Sequence, residues 1–108
     1  MEPTVRMPFS AAQEDAYAKA RAKLDPQRLK QLLFEITNIH SPTGATREVS
    51  EFVAGRMAEI GLKPRLDPMT DISSNVLGEK RGSGGGATLL LYAPIDTHLE
   101  GDESDFPW

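Results

Sequence analysis

Asp96 and His98 have the residue types and the spacing to do chemistry. Alternate residues of an extended chain point the same way, roughly 6.5–7 Å apart. A carboxylate and an imidazole at the carboxyl end of a sheet strand stand where open α/β folds place ligands. Neutral imidazole is a common zinc ligand, and a neighbouring carboxylate either ligates the metal or orients the ring. A solvated turn accounts for the same Asp-x-His pattern, so the pair by itself is a weak signal.

Other candidates carry less. His40 and Ser41 are adjacent, and a Ser/His pair serves nucleophilic catalysis only when both side chains reach one point and an acid orients the imidazole. The simpler reading is a histidine at a helix exit, facing the negative end of the helix dipole. The glycine-rich stretch 82–86 lacks the Lys-Ser/Thr and the following helix that a phosphate loop requires, so it reads as a connecting loop. Glu100, Asp102, Glu103 and Asp105 do not have the spacing of an EF-hand loop and read as a solvated acidic segment.

The elements that must position these residues follow from periodicity and caps. Residues 1–9 carry two prolines and read as an arm. Ser10 and Gln13 form a capping-box pattern at the start of an alanine-rich surface helix, with Asp15 and Lys19 as an i,i+4 pair. Asp25-Pro26 restarts the chain as N-cap and first helical residue. Leu29, Leu32, Leu33, Ile36 and Ile39 then recur with helical spacing and predict one buried stripe. Ser41, ahead of Pro42, is pushed out of helical geometry. A third helix is expected from about Thr46 to Ile60, with Val49, Phe52, Val53, Met57 and Ile60 inward and Gly61 as its C-cap.

Beyond Gly61, residues 62–67 suit a short edge strand because Pro64 excludes a central position. Residues 75–80 suit another. The apolar run 87–93 is expected to be an interior strand covered on both faces. The fold class is therefore α/β: two or three helices packed on the start of a mixed, mostly buried sheet. Residues 1–25 form an arm and surface helix, and 26–108 read as the opening portion of a larger domain.

Composition narrows the function classes. The 108 residues are 39% apolar with no cysteine, which allows one modest core and excludes disulfides and thiolate chemistry. The four tail carboxylates account for the whole formal net charge of −4, an acidic balance that argues against nucleic acid as a partner. The apolar run 87–95 is far below the roughly 20 residues of a spanning helix, and the first residues lack a signal-peptide pattern. No membrane partner and a cytoplasmic location are the resulting expectations.

The order of the elements adds a resemblance. From about Pro26 to Gly101 the chain resembles the opening of the catalytic domain of the zinc-dependent amidohydrolases and metallopeptidases typified by acetylornithine deacetylase, succinyl-diaminopimelate desuccinylase and glutamate carboxypeptidase. The features that carry it are the amphipathic helix RLKQLLFEITNI, the Ser-x-x-Gly turn SPTG at 41–44 and the helix EVSEFVAGRMAEIGL. The Asn-Val strand, glycine turn and apolar strand of SNVLGEKRGSGGGATLLLYAPIDTH complete the order.

This resemblance implies an incomplete aminopeptidase-like catalytic domain, a zinc or cobalt cofactor and a small-molecule amide substrate. The implied reaction is hydrolysis of an amide or peptide bond in a small acylated amino acid or related compound. The family signature at the end of the apolar strand is His-x-Asp-x-Val, and Asp96 takes the Asp position that orients the metal centre. Pro94 occupies the position of the metal-binding His, and proline has no lone pair to offer. His98, two residues beyond Asp96, is the candidate replacement ligand. The family's further carboxylate and histidine ligands come later in the chain than residue 108, so the 108 residues alone are expected to be inactive. The alternative is a non-catalytic binding or assembly module derived from the hydrolase fold, self-associating through exposed strand edges.

Overall fold

The computed structural model describes residues 8–96. Among them the chain forms α1 (Ala11–Ala22), α2 (Pro26–Thr37), α3 (Arg47–Glu59), β1 (Lys63–Pro68) and β2 (Ser74–Glu79). This is the expected α/β class. By contacts the chain divides into two compact units, Met1–Leu32 and Leu33–Trp108.

In the first unit, local chemistry sets the helix starts. The Ser10 hydroxyl accepts from the Gln13 amide, and the Ser10 amide donates to Gln13 Oε1 at 2.9 Å, closing the capping box. Lys19 Nζ lies 2.7 Å from Asp15 Oδ2. No residue of α1 is buried, as its alanine-rich surface pattern predicts. Asp25 Oδ1 caps α2 by accepting from the amides of Gln27 and Arg28, two of the donors that a helix start leaves unpaired.

The second unit is built on α3 and a hairpin. β1 and β2 pair antiparallel, with Pro64 opposite Gly78, Leu66 opposite Val76 and Pro68 opposite Ser74. Pro64, Leu66, Ser74 and Val76 are the less exposed positions of their strands, the period-2 alternation of a sheet with one covered face. α3 packs against both strands. It ends in a Schellman motif: Gly61 has φ +82°, its amide donates to Ala58 O, and the Leu62 amide donates to Met57 O.

Leu62 and Met57 then meet over β2. A Cβ at Gly78 would stand 2.7 Å from Met57 Sδ and 3.3 Å from Leu62 Cδ1, so hydrogen at position 78 is what lets α3 approach the sheet. From α2, Glu35 Oε2 accepts from Arg56 Nη2 at 2.9 Å, while the Arg56 guanidinium also reaches Glu59 and lies 5.7 Å from the centre of the Phe52 ring.

Three sequence expectations are corrected, the first being Ile60, expected on the inner face of α3 and 53% exposed where that helix ends. The α2 stripe is not buried throughout: Leu29 and Leu33 are 66% and 62% exposed, while Leu32, Ile36 and Ile39 are half-buried. The run 87–93 is not an interior strand either. It has no ladder partner among the described residues, and Leu89 to Tyr92 are 81–87% exposed. Among the described residues the sheet is a two-stranded hairpin, and after the bends at 83–86 residues 87–96 join neither of its strands. Periodicity marks which side chains favour burial, and coverage depends on neighbours that the hairpin and α3 do not supply.

Replacing Gly78 tests the packing of α3 on β2. Gly78→Val is expected to lower stability by about 1–3 kcal/mol, the usual cost of overpacking, read as a lower urea midpoint. Gly78→Ala should cost less, because the Met57 thioether can swing aside.

Candidate functional site

The SPTG segment leaves α2 and enters α3 through a tight turn. Pro42, Thr43, Gly44 and Ala45 form it, with the Ala45 amide donating to Pro42 O at 2.9 Å and Gly44 at φ +88°. A positive φ at the third position is the mark of a type II turn, where glycine carries no steric cost. Ser41 and Pro42 are buried, whereas Thr43 is exposed. The turn is thus held from its base and presents the Thr43 side chain outward.

Hydroxyls fasten the far end of the turn. Ser50, fully buried on α3, donates to the Ser74 carbonyl at 2.6 Å. Thr46 donates to the same carbonyl at 3.1 Å. A threonine hydroxyl has one proton, so Thr46 must accept in its 3.2 Å contact with the Ser73 hydroxyl. It also accepts a longer bond from the Ser74 amide. The main chain adds a bond from the Arg47 amide to Ile72 O, and Arg47 Nη1 donates to Asp71 O.

Asp96 comes to this turn. Thr43 Oγ1 donates to Asp96 Oδ2 at 2.6 Å, a contact between residues 53 apart in sequence. The length is that of a charge-assisted O–H to carboxylate bond. The candidate carboxylate and the Ser-x-x-Gly turn, read separately in the sequence, therefore meet. Thr43 was not singled out from sequence; its only signal there is a hydroxyl between the proline and glycine of that turn.

Other candidates fall elsewhere. His98 lies outside the described residues, as do Glu100, Asp102, Glu103 and Asp105. His40 is exposed and borders an open hollow of about 370 Å³ that Arg47, Glu48, Glu51, Asp71 and Ile72 also line. Its neighbour Ser41 is wholly buried. Arg47 in that hollow is committed to Glu51, with Nε 3.1 Å from Oε1. Asp96 is not among the lining residues. Residues 82–86 form a connecting loop.

A catalytic zinc needs about three protein ligands and one open position. Among the described residues no three His, Cys, Asp or Glu side chains converge on one point. Asp96 offers one carboxylate, and Pro94 offers no donor. The described residues by themselves therefore do not fit a zinc or cobalt centre. Among them, no helix is long and apolar enough to cross a membrane.

Over 79 residues the chain is 33% identical to a protein of Pyrococcus abyssi named as a LysW-lysine/LysW-ornithine hydrolase. The similarity is to a hydrolase. The aligned part is 67% of this chain and 22% of that relative, so the chain spans about a fifth of the relative's length. No family model matches the chain, and no solved structure matches it.

The hydroxyl contacts at Ser74 are open to a direct test. Ser50→Ala removes one buried donor and is expected to cost about 1–2 kcal/mol. Combining it with Thr46→Val, which leaves the Ser74 carbonyl without either hydroxyl, should cost clearly more in the same denaturant titration.

Proposed function

We propose that these residues belong to an amide-bond hydrolase in which Asp96 stands at the reaction centre. The observation that carries this reading is the 2.6 Å bond from Thr43 to Asp96, which joins two of the several segments that the hydrolase resemblance rests on. The 33% identity to a protein named as a hydrolase supports the same class. The substrate is a small acylated amino acid or related compound, and the relative's name, which includes lysine and ornithine, is in keeping with it.

Within that reading, hydrolysis adds water across the C–N bond, leaving a carboxylate and an amine. The chain's own contribution is a carboxylate whose orientation is fixed by a rigid turn. Zinc or cobalt, implied by the family resemblance, would supply Lewis acidity and would draw its ligands from residues outside 8–96, His98 being one candidate.

The full-length gene product, supplied with zinc or cobalt, is expected to hydrolyse N-acyl amino acids. Asp96→Asn should lower kcat/KM roughly 10–100-fold, the usual effect of losing a group that orients a metal site. The 108 residues assayed alone should give no turnover. Absence of hydrolysis by the full-length product across a panel of N-acetyl, N-succinyl and dipeptide substrates would overturn the reading.

A further inference from the structure

Asp96 is exposed and follows directly on the exposed apolar run 87–93, which has no strand partner among the described residues. Among the described residues, the side-chain hydrogen bond of Asp96 is the one from Thr43. Direction has to come from a side chain that is itself held, and Thr43 meets that condition. Its turn is closed by the Ala45-to-Pro42 bond and the left-handed Gly44. Ser41 and Pro42 are buried on one side, and Thr46 is tied to Ser74 on the other.

We propose that Thr43 is a positioning residue for the hydrolase: its hydroxyl holds Oδ2 of Asp96 and so turns Oδ1 toward the reaction centre. The proposal rests on the assignment of Asp96 to that centre. One hydroxyl proton engages one carboxylate oxygen, which fixes the rotation about the Cβ–Cγ bond as well as the side-chain rotamer. Carboxylate torsions of this kind are otherwise broad. The requirement at position 43 is then for a hydroxyl, which serine meets and valine, similar in shape, does not.

Two measurements test this. In the full-length gene product acting on N-acyl amino acids, Thr43→Val should lower kcat roughly 10–100-fold, as loss of an orienting partner does, with KM changed less than about twofold. Thr43→Ser should restore most of the rate. The double variant Thr43→Val/Asp96→Asn should be no slower than Asp96→Asn alone, since residues acting through one another are non-additive. A Thr43→Val enzyme as fast as the unchanged one, or a loss that multiplies in full with that of Asp96→Asn, overturns the proposal.

In the 108-residue chain, three-bond couplings should report one Asp96 χ1 rotamer for the unchanged protein and for Thr43→Ser, and averaging for Thr43→Val. A fixed rotamer in Thr43→Val also overturns it. An inactive full-length protein would instead overturn the hydrolase assignment and the positioning role of Thr43 with it, while the couplings still decide whether the hydroxyl holds the carboxylate.

Discussion

The second unit depends on one main-chain carbonyl. Ser74 O, at the first residue of β2, accepts from Ser50 and from Thr46, and this double acceptance ties the start of α3 to the hairpin. The apolar contribution at this point is small, because Val49 is the only fully buried hydrophobic side chain among the described residues. Where apolar burial is thin, satisfied hydrogen bonds specify the arrangement more sharply than hydrophobic area does, since an unmade buried bond costs the full desolvation of its groups. No buried side-chain polar atom among the described residues lacks a partner.

Asp96 inherits its place from that knot. Thr46 closes the segment that begins at Ser41, so whatever fixes Thr46 also limits where Thr43 can go. The path runs from a strand carbonyl through a helix-end hydroxyl and a glycine turn to a carboxylate 53 residues away from Thr43 in sequence. Each link is short and directional, in contrast to the loosely covered leucines of α2. The polar path and the apolar packing thus use different parts of the same small unit.

What was legible in the sequence was what is local. The capping box at Ser10, the Asp25 cap, the Gly61 terminator and the two short strands all appear where turn and cap residues put them. Coverage is not local. The stripe of α2 and the run 87–93 have the composition of buried elements, and their exposure follows from which neighbours the described chain provides. Asp96 was legible as a candidate from its residue type and its spacing from His98, with a role implied by the family pattern. Thr43 was not, because a hydroxyl in a polar turn has many uses and its partner lies far along the chain. His98 was read from spacing and as the replacement for the ligand missing at Pro94, and it lies outside the described residues.

The knot at Ser74 treats its participants unequally under sequence drift. Its acceptor is main chain, so any small side chain at position 74 that tolerates burial keeps the carbonyl in place. Positions 46 and 50 contribute through hydroxyls, and only serine or threonine can substitute there. Neutral variation is therefore channelled toward the strand, and the helix start retains its chemistry even while the strand beneath it changes.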